Sequence, residues 1–186
     1  MEQNQRFDDR RIMEETVSRE RVFNGIILHI DHVQNRLPNG KIAAREIALH
    51  IGASAVLPVD AEGNIYLVRQ FRAPIDRVLL EIPAGKLDDA HEDRLEAAKR
   101  ELREETGFTA GSWTHLTDTY TTPGFSSERI SLYLARDLQA GESHPDEDEF
   151  LNLVRMPFRD ALDMVMRGEL PDAKSQIAIC MAAHLI

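Results

Sequence analysis

The order of predicted secondary structure indicates a mixed β-sheet with helices packed on its faces, an α/β (α+β) fold. Several strand-like segments come first, one helical segment follows, more strands come next, and two helices end the sequence. This order differs from the regular alternation of strand and helix that builds a parallel sheet. The 186 residues suffice for one globular domain with a core, or for one domain with a small extension.

The first part of the sequence predicts two pairs of strands and one further strand. Turn residues separate the segments, with LPNGK inside the first pair and DAEGN inside the second. The further strand ends at Ala84-Gly85. The five predicted strands cover residues 22–34, 41–50, 53–59, 65–72 and 77–83.

The composition becomes helical over residues 92–106. Leu95, Ala98 and Leu102 recur there at spacings of three and four residues, which is typical of one helix face. Gly107 follows at a position suited to ending the helix.

The last part of the sequence predicts three more strands and two helices. The strands cover residues 113–120, 129–135 and 150–156. A helix over 157–167 is expected to begin with Pro157, and Asp172 is expected to cap a final helix over 173–185.

Composition and charge limit the partners and the compartment. A formal net charge of -10 disfavours binding to nucleic acid or to an anionic membrane, since both are polyanions, but metal ions could neutralise a site for a phosphorylated substrate. Cys180 is the one cysteine, so an intrachain disulfide and a cysteine metal site are both excluded. We see no signal peptide and no apolar run near the about 20 residues that span a bilayer. We therefore expect a cytoplasmic protein.

The segment 92–106 carries a cluster of carboxylates. At about 3.6 residues per turn, Glu101, Glu104 and Glu105 fall on one face, where their repulsion needs arginines or cations to offset it. Carboxylates are the ligands that hard cations such as Mg²⁺ prefer. A solvated acidic face is the alternative for an arbitrary glutamate-rich helix. The preceding loop and the glycine stop favour a metal site, with the Ala84 carbonyl as an extra ligand.

Residues 85–108, GKLDDAHEDRLEAAKRELREETGF, resemble the signature motif of the Nudix hydrolase family. The motif's second half matches at every fixed position: Glu92, Arg100, Glu101, Leu102, Glu104, Glu105, Gly107 and Phe108. In the first half, six residues rather than the usual five separate Gly85 from Glu92, so that strict spacing would place His91 at the glutamate position. The extra residue falls in a loop, where an insertion is tolerated.

The resemblance implies a Nudix α/β/α sandwich with a mixed sheet and a metal-dependent reaction. Glu101 and Glu105 would be the main metal ligands, Glu104 a third ligand or a base, and the Ala84 carbonyl a further ligand. Two or more Mg²⁺ or Mn²⁺ ions would bridge a pyrophosphate and polarise an attacking water. Catalysis would then be mainly positioning and charge stabilisation during in-line attack at phosphorus.

Features outside the motif resemble the family branch that hydrolyses nucleoside diphosphate sugars, best known for ADP-ribose pyrophosphatases. Pro123 in YTTPGF lies fifteen residues after Phe108, where that branch has a proline, although a Pro-Gly pair is also a common turn. We expect Pro123, Gly124 and Phe125 to contact substrate. Glu81 in LLEIPAG matches the branch's glutamate before the Pro-Ala-Gly turn, as a substrate contact or as part of a local salt bridge.

The acidic segment HPDEDEF resembles a late loop of that branch, which carries a catalytic glutamate. Glu147 and Glu149 are both candidates, and we favour Glu149 because it immediately precedes an apolar strand. A charge run of this kind is otherwise usually a solvated loop. An attacking water needs such a carboxylate within hydrogen-bond reach, directly or through one further water.

Arg45 in AAREI and Arg72 in RQFR match positions where the branch uses arginine on phosphate or nucleotide, because the planar guanidinium binds phosphate in bidentate fashion. Surface arginines on strands are the alternative. In that branch the N-terminal strands form a small antiparallel sheet that builds a homodimer, often by exchange between subunits. Residues 1–50 fit this extension and 51–186 the hydrolase domain, so that Arg45 could act on the partner's substrate.

The predicted reaction is hydrolysis of ADP-ribose to AMP and ribose 5-phosphate. Another nucleoside diphosphate sugar, such as a GDP- or UDP-sugar, is the alternative substrate, because nothing in the sequence plainly reads the base. A catalytically silent Nudix domain that binds a nucleotide as a regulator would be expected to lose motif glutamates, which this sequence keeps. A generic phosphatase is a further alternative, and the acidity disfavours a decapping enzyme.

Overall fold

The computed structural model describes residues 9–143 and 150–186, whose internal contacts divide them into two units. The first unit comprises His50 and the described residues before it, together with Thr122–Ser127. The second comprises Ile51–Thr121 and the described residues from Glu128 to Ile186.

The first unit is an antiparallel sheet of three strands, β1 Glu15–Asn24, β2 His29–Arg36 and β3 Ile42–Leu49, in that order. The prediction of one strand over 22–34 was wrong. The N–H of Gly25 donates to the carbonyl of Leu28 over 2.8 Å, and this turn separates β1 from β2.

The segment Thr122–Ser127 is hydrogen-bonded to the end of β3. The N–H of Ala48 donates to the carbonyl of Phe125 over 2.7 Å, and the N–H of Ser127 donates to the carbonyl of Ala48 over 3.0 Å. The loop that carries Pro123, Gly124 and Phe125 therefore belongs to the same unit as the strand that carries Arg45.

The second unit contains seven described strands: β4 Ala53–Pro58, β5 Asn64–Arg72, β6 Arg77–Glu81, β7 Ala84–Lys86, β8 Thr109–Tyr120, β9 Arg129–Gln139 and β10 Asn152–Pro157. One sheet has the order β7-β4-β9-β8, with β4 parallel to β9 and the other pairs antiparallel. A second, antiparallel sheet has the order β10-β5-β6. The predicted mixed sheet is confirmed.

Three α-helices cover the four-stranded sheet: α1 Arg94–Thr106, α2 Phe158–Met166 and α3 Ala173–Ala182. Alternate residues of β4 point to opposite faces. Leu57 is buried with Ala161 of α2 and Ala178 of α3, whereas Val56 is buried with Leu102 of α1. The α/β/α sandwich is therefore confirmed. Within the described residues, no helix is both long enough and apolar enough to cross a membrane.

Local capping explains where α1 and α3 begin. The side chain of Asp93 accepts hydrogen bonds from the N–H groups of Leu95 and Glu96 over 2.9 and 3.1 Å, and Gly107 ends α1 with a φ of 75°. Asp172 caps α3 as predicted. Pro157 was predicted to be the first residue of a helix. It is instead the last residue of β10, and α2 begins one residue later, at Phe158.

Candidate active site

Helix α1 presents carboxylates to the interior. Glu101 and Glu105, one turn apart, are only 7 % and 6 % exposed, and Glu104 beside them is half-buried. Buried glutamates need partners that balance their charge, because an isolated carboxylate loses its hydration on burial. The face that the sequence predicted as a carboxylate cluster therefore lies against the body of the second unit.

Arg100 holds two of these carboxylates. Its Nη1 donates to Oε1 of Glu101 over 2.7 Å and to Oε2 of Glu104 over 3.2 Å. Burial alone would lower the pKa of the Arg100 guanidinium, but the carboxylates of Glu92 and Glu101 outweigh burial and raise it above its ordinary value. Arg100 therefore stays charged and orients the glutamates.

The loop before α1 accommodates the extra residue without displacing Glu92. Oε1 of Glu92 accepts from Nε of Arg100 over 3.3 Å, and Oε2 accepts from the N–H of Asp88 over 2.7 Å. Nη2 of Arg100 also donates to the carbonyl of Lys86 over 3.1 Å. His91 instead donates its N–H to Asp89 over 2.6 Å, so Glu92 is the residue that meets the motif arginine.

Gly85 lies directly against the carboxylate of Glu101. A Cβ atom at this position would lie 1.9 Å from Oε1 and 2.1 Å from Cδ of Glu101. No side chain fits there, so glycine is what allows the helix carboxylate to approach the backbone of β7. The Glu101 carboxylate therefore lies beside Gly85, one residue after the Ala84 carbonyl.

The donor set on this face suits a hard divalent cation. Glu101, Glu104, Glu105 and the Ala84 carbonyl offer only oxygen atoms, which Mg²⁺ and Mn²⁺ prefer. Among residues 9–143 and 150–186, no three His, Cys, Asp or Glu side chains already converge as a complete metal site. Arg100 forms ion pairs with both Glu101 and Glu104.

Arg72 and Glu81 form a bidentate ion pair. Nε and Nη2 of Arg72 donate to the two carboxylate oxygens of Glu81 over 2.8 and 2.7 Å. The hydrogen bonds that Arg72 donates to Glu81 raise the pKa of Arg72 most, and the field of Glu105 adds to this rise. The glutamate face of α1 and the predicted phosphate-binding arginine therefore lie within electrostatic reach of each other.

Glu81 has a second cationic partner, Lys174 of α3. Glu81 is 1 % exposed and its Oε2 accepts from Nζ of Lys174. Burial raises the pKa of the Glu81 carboxyl, but hydrogen bonds from Arg72 and Lys174 outweigh it, so the pKa is lowered. Glu81 thus forms the expected local salt bridge, and its contact with substrate stays a prediction.

The remaining predicted site residues belong to the first unit or lie outside the described residues. Arg45, on β3, donates to the carbonyl of Ala44 over 3.0 Å and pairs with Glu14, all within the first unit. Pro123, Gly124 and Phe125 are in that unit too. Glu147 and Glu149 lie outside the described residues.

Sequence reasoning missed Lys174. It stands in the first turn of α3, where the positive end of the helix dipole disfavours a cation. The sequence therefore contains a signal for Lys174, because a residue that is unfavourable for its own helix usually makes a contact with another part of the protein.

Comparison with known proteins finds similar chains. A model of the NUDIX domain matches residues 48–177. The chain is 44 % identical over 168 residues to an ADP-ribose pyrophosphatase of Bacillus subtilis (strain 168), covering 89 % of this chain and 90 % of the relative. It is 38 % identical over 168 residues to a methanol dehydrogenase activator of Bacillus methanolicus, with the same coverage. A crystal structure of an ADP compounds hydrolase matches with a TM-score of 0.81 at 25 % identity, covering 92 % of this chain and 93 % of that one.

Proposed function

The chain belongs to the Nudix hydrolase family, and on this premise we propose that it hydrolyses the pyrophosphate bond of ADP-ribose to AMP and ribose 5-phosphate. The observation that carries the chemistry is the buried glutamate face of α1, with the Glu101 carboxylate against Gly85. The substrate rests on the 44 % identical relative that is named an ADP-ribose pyrophosphatase.

Two or more Mg²⁺ or Mn²⁺ ions complete the proposed site. Glu101, Glu105 and the Ala84 carbonyl would hold them, and Glu104 is a further ligand or a base. When bound, such ions neutralise the pyrophosphate charge and make water a better nucleophile at neutral pH. The donor set described above supports this proposal because it consists of oxygen atoms alone.

The chain's own residues would supply orientation and proton transfer. Arg100 keeps the motif carboxylates in place, and Arg72 presents its guanidinium to a substrate phosphate. Water attacks one phosphorus atom as the bridging P–O bond breaks, and a carboxylate accepts the proton of the water. Glu104, Glu147 and Glu149 are the candidate bases, with Glu149 preferred for its position in the sequence.

The first test is release of AMP from ADP-ribose in Mg²⁺ by the wild type, Glu105→Gln and Glu96→Gln. We expect Glu105→Gln to lose about a hundredfold or more in rate, because it removes a metal-ligating charge. Glu96 lies on the exposed side of the same helix, so its variant is the matched control and should keep the wild-type rate.

Parallel assays with GDP-mannose and UDP-glucose test the substrate. A clear preference for one of them would overturn ADP-ribose while leaving the metal site in place. Tight binding of a nucleotide sugar without hydrolysis of any would support a regulatory domain instead. Equal rates for Glu105→Gln and the wild type would contradict the proposed metal site.

We also propose a homodimer built through the first unit. All ten residues of β1 are exposed, and three strands with little burial are poorly stable alone. Large apolar side chains of this unit are exposed: Ile12, Met13, Val17, Val22, Phe23, Ile26, Ile27, Leu28 and Ile42. An apolar surface of this kind is typical of a protein interface, and a second copy is the occupant we propose.

Sedimentation at micromolar concentration tests the dimer, and a monomer there would contradict it. A mixing experiment tests the proposal that Arg45 acts on the partner's substrate. Arg45→Ala and Glu105→Gln, each nearly inactive alone, would together form mixed dimers with one complete site. Activity should then return to about a quarter of the wild-type value after subunit exchange. No recovery in proven mixed dimers would place Arg45 in its own subunit's reaction or outside catalysis.

A further inference from the structure

The first turn of α3 contacts the end of β6 at two successive residues. Nζ of Lys174 donates to the carboxylate of Glu81, and the N–H of Ile82 donates to Oγ of Ser175 over 2.8 Å. Ser175 in turn bonds to Asp172, the residue that caps α3. Both the side chain of Glu81 and the backbone that follows it are therefore held by α3.

Lys174 is unusual for a lysine because it is 8 % exposed. Its ammonium group donates to two carboxylates, that of Glu81 and that of Asp172, whose Oδ1 lies at 3.1 Å. Arg72, Glu81, Lys174 and Asp172 thus alternate in charge. Removing one member of a buried chain of this kind leaves its neighbour's charge uncompensated.

The orientation of Arg72 depends on this chain. Nε and Nη2 of Arg72 are both used on Glu81, whereas Nη1 takes part in neither bond, and the side chain is 40 % exposed. A guanidinium held along one edge presents its other edge in a defined direction, which suits a phosphate oxygen. Glu81 can hold that edge only while its own position is maintained.

We propose that Lys174 is a positioning residue that orients Arg72 for a substrate phosphate through Glu81. The proposal rests on the proposed function, since it assigns Arg72 to the pyrophosphate of a nucleotide sugar. Lys174 does not touch the substrate in this arrangement. Its charge and its contact with Glu81 set the direction of the arginine, and Ser175 fixes the adjacent backbone.

The test compares Lys174→Met and Lys174→Arg with the wild type in steady-state hydrolysis of ADP-ribose, or of whichever nucleotide sugar the wild type cleaves fastest. We expect Lys174→Met to raise KM about tenfold and to change kcat by less than about threefold, because a misdirected Arg72 weakens substrate binding. Lys174→Arg keeps the charge and should recover most of the loss. Arg155→Met is the matched control, since it removes the ion pair between Arg155, on β10, and Oδ2 of Asp60 and should leave KM unchanged.

A substrate-free readout separates this proposal from the proposed function. The Nε–H NMR signal of Arg72, assigned through its loss in Arg72→Lys, should shift in Lys174→Met and stay in place in Arg155→Met. If the wild type cleaves no nucleotide sugar, the proposed function fails, and the NMR result still decides whether Lys174 orients Arg72. An unchanged Arg72 signal, or a fall in kcat alone, would overturn the proposal. If Lys174→Met does not fold, Lys174→Gln, which can still donate to Glu81 without a charge, takes its place with a smaller expected shift.

Discussion

The strands β1 and β4 make opposite use of the same kind of local structure. β1 is an outer strand of a three-stranded sheet, and β4 is an inner strand of a four-stranded sheet. All ten residues of β1 are exposed, whereas all six residues of β4 are buried. Helix α1 covers one face of β4 and the pair α2 and α3 the other, whereas no described element covers β1. Hydrogen bonding to a neighbouring strand does not bury a strand. A strand becomes part of the core only where other elements pack on its faces.

The predicted site residues of the two units differ in burial in the same way. The second unit buries charged side chains: Glu81, Glu101 and Glu105 are all less than 9 % exposed. Glu81 is held by Arg72 and Lys174, and Glu101 by Arg100. Arg45, in the first unit, has a side chain that is 38 % exposed and is held by Glu14. We therefore expect substitutions in the second unit to change chemistry and stability directly, and substitutions in the first to act through association.

The largest expected effect contrasts two glycines. In Gly85→Ala the new Cβ would lie 1.9 Å from Oε1 of Glu101, so the carboxylate must move and hydrolysis should fall about a hundredfold or more. Gly40, in the turn between β2 and β3, has a φ of 81° and open space around it. Gly40→Ala should lower the free energy of unfolding by about 1 kcal/mol through backbone strain and keep the rate. The hydrolysis rates and urea midpoints of both variants test this. Equal rates for Gly85→Ala and Gly40→Ala would contradict the proposed difference between the two glycines.

The next effect concerns packing alone. Leu102 is fully buried between α1 and the sheet, so Leu102→Ala should lower the free energy of unfolding by about 2–5 kcal/mol. Val17 on β1 is 50 % exposed, and Val17→Ala should change the free energy of unfolding of the monomer by less than about 0.5 kcal/mol. Urea unfolding at several protein concentrations measures both values. A large, concentration-independent loss in Val17→Ala would show that β1 is covered within its own chain.

The smallest effect is a pH dependence inside the second unit. Burial raises the pKa of Asp60, but hydrogen bonds from Asn64 and Arg155 outweigh it and lower the pKa from 3.8 to about 2. A lowered folded-state pKa stabilises the protein above pH 3.8, and this contribution is lost as the pH falls towards 2. Asp60→Asn should therefore have a lower urea midpoint than the wild type near neutral pH. Its urea midpoint should also fall less than that of the wild type when the pH is lowered. Parallel pH profiles of the two proteins would contradict the ion pair's role.

The glutamate helix α1 was predictable because its signals are local. The stop at Gly107 and the spacing of Glu101 and Glu105 act within a few residues, and the structure shows both. The cap at Asp93 is equally local, although it was not predicted. Strand boundaries were less predictable. The turn at Gly25 was missed inside an apolar run, and β7 was read only as a turn, because whether a short segment pairs depends on a partner strand distant in sequence.

The sequence by itself determined the family motif, the helix that carries it and the glutamates that face one way, since helix geometry sets these through neighbours three and four residues apart. Only the tertiary structure decided which groups meet Glu81 and Glu101. Lys174 reaches Glu81 across 93 residues, and Gly85 leaves room for Glu101 on a different element. Such contacts follow from how helices and sheets pack on each other, which residue spacing along one segment does not specify.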